Sequence, residues 1–241
     1  MKTVKSQIAA IALALGSTLT VGASHAADTQ PSVVIVHGAF ADGSDWAKVV
    51  PLLQAEGVTV TVVQNPLTSL ADDVAATQRV LNNQNGKVVL VGHSWGGTVI
   101  TEAGIDKKVS ALVYVSAFAP QAGQTSGEQG KGAPTPPGIA QLKSDRNGFL
   151  YLTPDGMAKD FAQDLPAAQT AVMTATQGPI KASAFEDKVT SAAWKTKPSW
   201  YLLATQDRMI HPDVQRAAAK RIGATLSEVN ASHVPQQSQP A

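Results

Sequence analysis

The chain has 241 residues, 44% of them apolar, so we expect one sizeable domain with a substantial buried core. It has no cysteine, which excludes thiol nucleophiles, thiolate metal sites and disulfides. The 19 Lys and Arg nearly balance the 18 Asp and Glu, which argues against nucleic acid or an anionic membrane as a partner, because either would need a basic stripe.

Residues 1–26 have the pattern of a signal peptide. Lys2 and Lys5 form a charged start, an apolar run follows from 8 to 21, and Ser24-His-Ala26 is a small-x-small cleavage site. The run is short for a membrane span. We therefore expect cleavage after Ala26, a periplasmic or secreted protein and no stable membrane association. An N-terminal membrane anchor is the alternative.

Short apolar runs alternate with amphipathic stretches along the rest of the chain. Strands are predicted over 32–36, 58–63, 87–91, 109–115, 200–204 and 224–229, and helices over 45–56, 70–81, 95–103 and 212–221. Pro51 should shorten or kink the first helix. This alternation predicts an α/β domain over residues 27–241 with a doubly wound, mostly parallel sheet, which binds ligands beyond the carboxyl ends of its strands.

The alternation breaks from about residue 119 to 197. Residues 119–138 are rich in Gly, Pro, Gln and Ser, and short helical patterns follow over 154–161 and 166–175. We interpret this region as a small helical lid inserted between two strands. An ordinary run of surface loops and helices is the alternative.

A nucleophile motif lies at the end of the third predicted strand. Gly92-His-Ser-Trp-Gly96 matches G-x-S-x-G, and it follows an apolar strand and opens a helix, as a nucleophile elbow requires. Ser94 would then stand above the sheet edge at the positive end of a helix dipole. The alternative is a serine that only caps the helix.

A serine nucleophile needs a base, and the base needs an orienting carboxylate. Where such a sheet carries a nucleophile elbow, the three catalytic residues occur along the chain in the order serine, acid, histidine. Asp207 follows the strand over 200–204, and His233 follows the last strand. Both are therefore expected on loops at the same carboxyl edge of the sheet as Ser94, as the acid and the base. Asp213 is the main rival acid, but it has the pattern of a first-turn helix residue. The other histidines, at 25, 37, 93 and 211, are not on the final loop.

The oxyanion of an acyl-transfer intermediate needs two backbone donors. We predict the N–H of Trp95 and the N–H of Ala39, which lies on the loop after the first strand. Gly38 lets that loop approach the substrate, and Phe40 is a further candidate for substrate contact. The scattered histidines form no metal motif and no phosphate loop is evident, so we expect no cofactor and no metal.

These motifs resemble one branch of the α/β hydrolases, which holds plant methyl esterases, hydroxynitrile lyases and small bacterial hydrolases. The likeness rests on His37-Gly-Ala-Phe-Ala-Asp-Gly-Ser-Asp-Trp46, Val91-Gly-His-Ser-Trp-Gly-Gly97, Ser116-Ala-Phe-Ala-Pro120, Ala204-Thr-Gln-Asp207 and Ser232-His233. The resemblance implies the triad Ser94, Asp207 and His233, and it implies that Phe118 and the lid shape an apolar pocket.

Two departures bear on activity and stability. The lyases of this branch have threonine and lysine where this chain has Gly38 and Val234, so the resemblance favours ester hydrolysis. The family continues beyond the catalytic histidine into a helix, whereas eight residues follow His233 here, so that helix is expected to be missing. We predict a serine carboxylesterase for small esters. The alternatives are a non-catalytic binding protein and a cofactor-free lyase or perhydrolase; the oligomeric state stays open.

Overall fold

The structure is a computed structural model that describes residues 32–241. The predicted signal peptide lies outside the described residues. The described chain forms a parallel sheet flanked by helices, with a long insertion between the fourth and fifth strands of that sheet.

Six parallel strands form the main sheet. They are β1 (Ser32–Val36), β2 (Val60–Val63), β3 (Val88–His93), β4 (Val109–Val115), β8 (Ser199–Ala204) and β9 (Thr225–Val229). Their order is β2-β1-β3-β4-β8-β9, so the winding direction reverses between β1 and β3. The predicted doubly wound sheet is confirmed, and a crevice is expected where the carboxyl ends of β1 and β3 diverge.

The helices lie close to their predicted positions, except for the first and for a four-residue helix after His233 that was not predicted. They are α1 (Val50–Ala55), α2 (Leu70–Asn82), α3 (Trp95–Ala103), α4 (Pro154–Gly156), α5 (Ala167–Thr176), α6 (Pro212–Arg221) and α7 (Pro235–Ser238). The helix predicted over 45–56 is shortened to α1, as expected from Pro51, and its predicted first part is not α-helical. A 3₁₀ turn (Gly43–Trp46) comes first, and α1 begins at Val50 so that Pro51 falls in its first turn, where a missing N–H costs no helical hydrogen bond.

The core lies on both faces of the sheet. Val34 and Val36 of β1 belong to the larger cluster under α2 and α3, and Ile35 packs with Trp46 on the opposite face. On that second face Trp200 of β8 is 42% exposed.

After His233 the described chain forms only the four-residue helix α7, which packs on the Gly43–Trp46 turn.

The insertion between β4 and β8 is less helical than predicted. It contains a three-stranded antiparallel sheet made of β5 (Leu142–Ser144), β6 (Phe149–Leu152) and β7 (Ile180–Lys181), together with 3₁₀ turns, a π-helical turn (Met157–Phe161) and α5. Strands of two to four residues are too short to leave a periodic pattern, which is why the sequence did not predict them. Among residues 32–241, no helix is both long and apolar enough to span a bilayer.

Candidate active site

Ser94 lies at the sharp junction between β3 and α3. Its φ of 52° is in the left-handed region, which is strained for a residue with a Cβ. A Cβ added to Gly96 would collide with the carbonyl oxygen of Val36, so only glycine permits this close approach of β1. The junction therefore presents Ser94 at the carboxyl edge of the sheet, as the motif predicted.

The structure brings the three predicted triad residues together. His233 Nε2 lies 2.9 Å from Ser94 Oγ, and His233 Nδ1 lies 2.7 Å from Asp207 Oδ2. All three residues are buried, with Ser94 7%, Asp207 5% and His233 1% exposed. An imidazole between an alcohol and a carboxylate can accept the alcohol proton while the carboxylate holds the ring in orientation.

Four donors hold the Asp207 carboxylate. Oδ1 accepts the backbone N–H groups of Met209 and Ile210 at 2.7 and 2.9 Å, and Oδ2 accepts Gln215 Nε2 at 2.7 Å in addition to His233. These bonds fix the carboxylate as an acceptor for the imidazole N–H. The rival acid Asp213 lies elsewhere, with a side chain 75% exposed and paired with Arg216.

A second histidine supports the backbone of His233. His93 Nε2 lies 2.8 Å from the His233 carbonyl oxygen, which can only accept, so the proton is on Nε2. His93 Nδ1 is buried without a partner among the described residues. Burial holds the pKa of His93 well below its usual value, and the ring is neutral. The sequence motif gave no indication of this role.

Two other histidines of residues 32–241, His37 and His211, shape local backbone. His37 Nδ1 donates to the Gly38 carbonyl at 2.8 Å, and His37 Nε2 accepts the Asn65 N–H at 3.0 Å. These two hydrogen bonds fix the backbone conformation of the loop after β1. His211 Nδ1 accepts the Asp213 N–H at the start of α6. Within residues 32–241 no group of three or more His, Asp or Glu side chains is arranged to hold a metal ion.

The two predicted oxyanion donors are free to bind a ligand. Among the described residues, none accepts a hydrogen bond from the backbone N–H of Ala39 or of Trp95. The neighbouring Phe40 N–H, in contrast, donates to the Gly178 carbonyl at 3.0 Å. Trp95 is also the first residue of α3, where the helix dipole favours negative charge.

Two buried carboxylates lie beside the site, and sequence reasoning missed both. Asp73 of α2 accepts the Trp95 indole N–H at 2.7 Å, and burial raises the pKa of Asp73 to about 6. Asp45 accepts the side-chain amides of Gln236 and Gln237 at 2.9 and 2.5 Å, and burial raises its pKa to about 6 as well. Both carboxylates thus hold segments adjoining the triad.

A cavity of about 550 Å³ opens over Ser94 and His233. Its wall is mainly apolar and includes Ala39, Phe40, Phe118, Pro134, Pro136, Ile139, Leu142, Leu150, Phe185, Met209, Ile210 and Val214. The polar part of the wall includes Glu128, Lys131 and Glu186. The predicted contact residues Phe40 and Phe118 line this cavity. Gly38 does not, but a Cβ added there would lie 2.8 Å from Ser94 Cβ.

Comparison with known proteins identifies the family of the chain. Residues 33–241 match the alpha/beta hydrolase family. Pheophorbidase of Raphanus sativus is 28% identical over 79% of this chain and 82% of that protein, and methylesterase 2 of Arabidopsis thaliana is 27% identical over 76% and 81%. The crystal structure of polyneuridine aldehyde esterase is 20% identical in sequence and superposes with a TM-score of 0.75. The match covers 88% of this chain and 95% of the esterase chain, which shows a shared fold. The chain therefore belongs to the alpha/beta hydrolase family of enzymes.

Proposed function

We propose that this chain is a serine carboxylesterase that cleaves small, neutral, largely apolar esters through an acyl-enzyme. The observation that carries the proposal is the hydrogen-bonded relay from Ser94 Oγ through His233 to the Asp207 carboxylate, at 2.9 and 2.7 Å. A relative named methylesterase supports an ester as the substrate.

In the acylation step Ser94 Oγ attacks the ester carbonyl carbon, and its proton passes to His233 Nε2. Asp207 stabilises the imidazolium that forms. The developing oxyanion accepts the Ala39 and Trp95 N–H groups, each worth roughly 3 kcal/mol in the transition state. The alcohol then leaves with the proton from His233, and a water molecule activated by the same imidazole releases the acid.

The cavity wall supports neutral substrates. Most of the wall is apolar, so burying an acyl or alcohol group there is favourable, whereas a buried unpaired charge is costly. The two carboxylates in the wall, Glu128 and Glu186, outnumber its one amine, Lys131. An ester that carries a free carboxylate should therefore be disfavoured.

Fluorophosphonate labelling and hydrolysis of p-nitrophenyl butyrate test the proposal. Ser94→Ala should lose the label and about 10³-fold or more in kcat. Ser126→Ala is the matched control, because Ser126 lines the same cavity but hydrogen-bonds to Thr98 at 2.6 Å instead of to an imidazole. Folded wild-type protein that takes no label would indicate a binding protein, and a label retained by Ser94→Ala would indicate another nucleophile.

A substrate panel tests the second part of the proposal. The butyrate ester should be preferred over the hemisuccinate ester by about tenfold or more in kcat/KM, equivalent to about 1.4 kcal/mol. Equal rates would contradict a selection for neutral esters. Product analysis separates ester hydrolysis from a lyase or perhydrolase reaction on the same triad.

Export is also part of the proposal. The charged start, the apolar run over 8–21 and the site ending at Ala26 support it. N-terminal sequencing of protein recovered from the periplasm or medium should begin at Ala27. An intact Met1 on membrane-bound protein would indicate an anchor instead.

A further inference from the structure

One segment of the insertion contacts both loops that carry the acid and the base. The segment runs from Asp160, in the π-helical turn, to Asp164, and is called the lid clamp below. Its side chains reach the loop around Asp207 and the loop around His233. Single π-helical turns are frequent at functional sites, because they realign side chains over a short distance.

On the acid side the clamp binds both neighbours of Asp207. Asp160 Oδ1 accepts Arg208 Nε at 2.7 Å, and Gln163 Nε2 donates to the Gln206 carbonyl at 2.7 Å. The Asp160 side chain is 6% exposed, whereas that of Arg208 is 48% exposed. The acid loop is thus held on each side of the carboxylate that orients the imidazole.

On the base side the clamp binds the residue before His233 and the imidazole itself. Asp164 Oδ2 accepts the Ser232 N–H at 2.8 Å. The Phe161 ring meets the His233 ring edge to face, with centroids 5.0 Å apart. Four contacts from one short segment therefore span the two loops whose separation sets the Asp207–His233 hydrogen bond.

We propose that Asp160 and Asp164 are positioning residues that hold the acid and base loops in the spacing needed for proton transfer. This inference rests on the proposed serine-hydrolase function. Neither carboxylate touches the reacting atoms; each acts through the backbone or side chain of a residue next to the triad. Displacement of a catalytic group by about 1 Å can cost about a hundredfold in rate. Loss of a clamp contact should therefore lower kcat with little change in KM.

The test compares Asp164→Ala with Asp164→Asn and Asp155→Ala. Asp164→Ala should lower kcat about tenfold and leave KM within about threefold. Asp164→Asn should restore kcat, because an amide oxygen still accepts the Ser232 N–H. Asp155→Ala is the matched control: Asp155 lies in the same insertion, but its carboxylate is 71% exposed and pairs only with Lys159. A kcat for Asp164→Ala equal to that of the control, or no rescue by asparagine, would overturn the proposal.

Two further measurements keep the test decisive. If Asp164→Ala does not fold, Arg208→Ala removes the hydrogen bond to Asp160 from its exposed partner, and an unchanged kcat would overturn the proposal. The low-field proton resonance of the His233 Nδ1–H reports the Asp207 hydrogen bond without turnover. It should shift in Asp164→Ala but not in Asp155→Ala. If wild type is not labelled by fluorophosphonate yet this resonance shifts, the proposed function fails while the clamp stands.

Discussion

The Trp95 indole Nε1–H donates a 2.7 Å hydrogen bond to Asp73 Oδ2, which ties α2 to the residue that follows Ser94. The other oxygen, Oδ1, accepts the Leu67 N–H at 2.8 Å. Phe185 packs edge to face on the Trp95 ring, with centroids 5.3 Å apart. A single buried carboxylate thus fixes the side chain of the residue whose backbone N–H we propose as an oxyanion donor.

Asp73→Asn should weaken both stability and turnover. An asparagine offers one carbonyl oxygen to the two buried donors, Trp95 Nε1 and Leu67 N, so one of them is left facing an NH₂ group. A buried unsatisfied donor costs about 1–3 kcal/mol, and the free energy of unfolding should fall by about that amount. Urea unfolding and p-nitrophenyl ester kinetics measure the two effects. Asp72→Asn is the control, because Asp72 is exposed and its carboxylate accepts only the Thr68 and Ser69 hydroxyl groups. Equal losses in the two variants would contradict the assignment.

The Asp45 carboxylate should make the protein more stable as the pH falls from 7 toward 4. Burial raises the pKa of Asp45 to about 6 from its model-compound value of 3.8, although hydrogen bonds from Gln237 and Gln236 lower it. The folded state therefore binds a proton more tightly than the unfolded chain. The resulting stability is fully present below pH 3.8 and is lost as the pH rises through about 6, and the shift corresponds to about 3 kcal/mol.

Comparison with Asp45→Asn isolates this effect from that of Asp73, whose pKa is raised in the same direction. The difference in unfolding free energy, wild type minus Asp45→Asn, should be larger at pH 4.5 than at pH 7. Denaturant unfolding at the two pH values measures it. A difference that does not change with pH would show that the Asp45 carboxyl group has an ordinary pKa in the folded protein.

The sheet and the convergence of the three predicted triad residues could be predicted because they depend on local patterns. Ser94, Asp207 and His233 each follow a strand, and parallel strands bring their carboxyl ends to one edge whatever the packing around them. Asp73 could not be found in this way. An acid in the first turn of a helix is usually exposed, and only the packing of α2 against α3 places Asp73 beside the Trp95 indole. The lid clamp was missed for the same reason, since nothing in the sequence relates residues 160–164 to contact residues 43 or more positions away along the chain.

Gly38→Ala should impair catalysis more than folding. A Cβ at this position would lie 2.8 Å from Ser94 Cβ and 3.0 Å from His93 Nδ1, so the nucleophile or the loop has to shift. A shift of this size should lower kcat by about a hundredfold and slow fluorophosphonate labelling. Gly130→Ala is the matched control, because Gly130 lines the same cavity and an added Cβ there meets open space. Wild-type kcat in Gly38→Ala would mean that the first loop and Ser94 are not so closely packed.

Phe118→Ala should change substrate preference in favour of short acyl or alcohol groups. The Phe118 side chain is half-buried and lines the cavity, so its removal takes apolar contact away from substrates long enough to reach it. Loss of about 50 Å² of apolar contact at about 25 cal/mol per Å² lowers kcat/KM for p-nitrophenyl hexanoate about tenfold, while the acetate ester should be affected less. Phe149→Ala is the control, since Phe149 lies in β6 outside the cavity wall with Lys181 over its ring. If the two esters lose activity equally in Phe118→Ala, the ring acts on the catalytic geometry and not on the bound acyl chain.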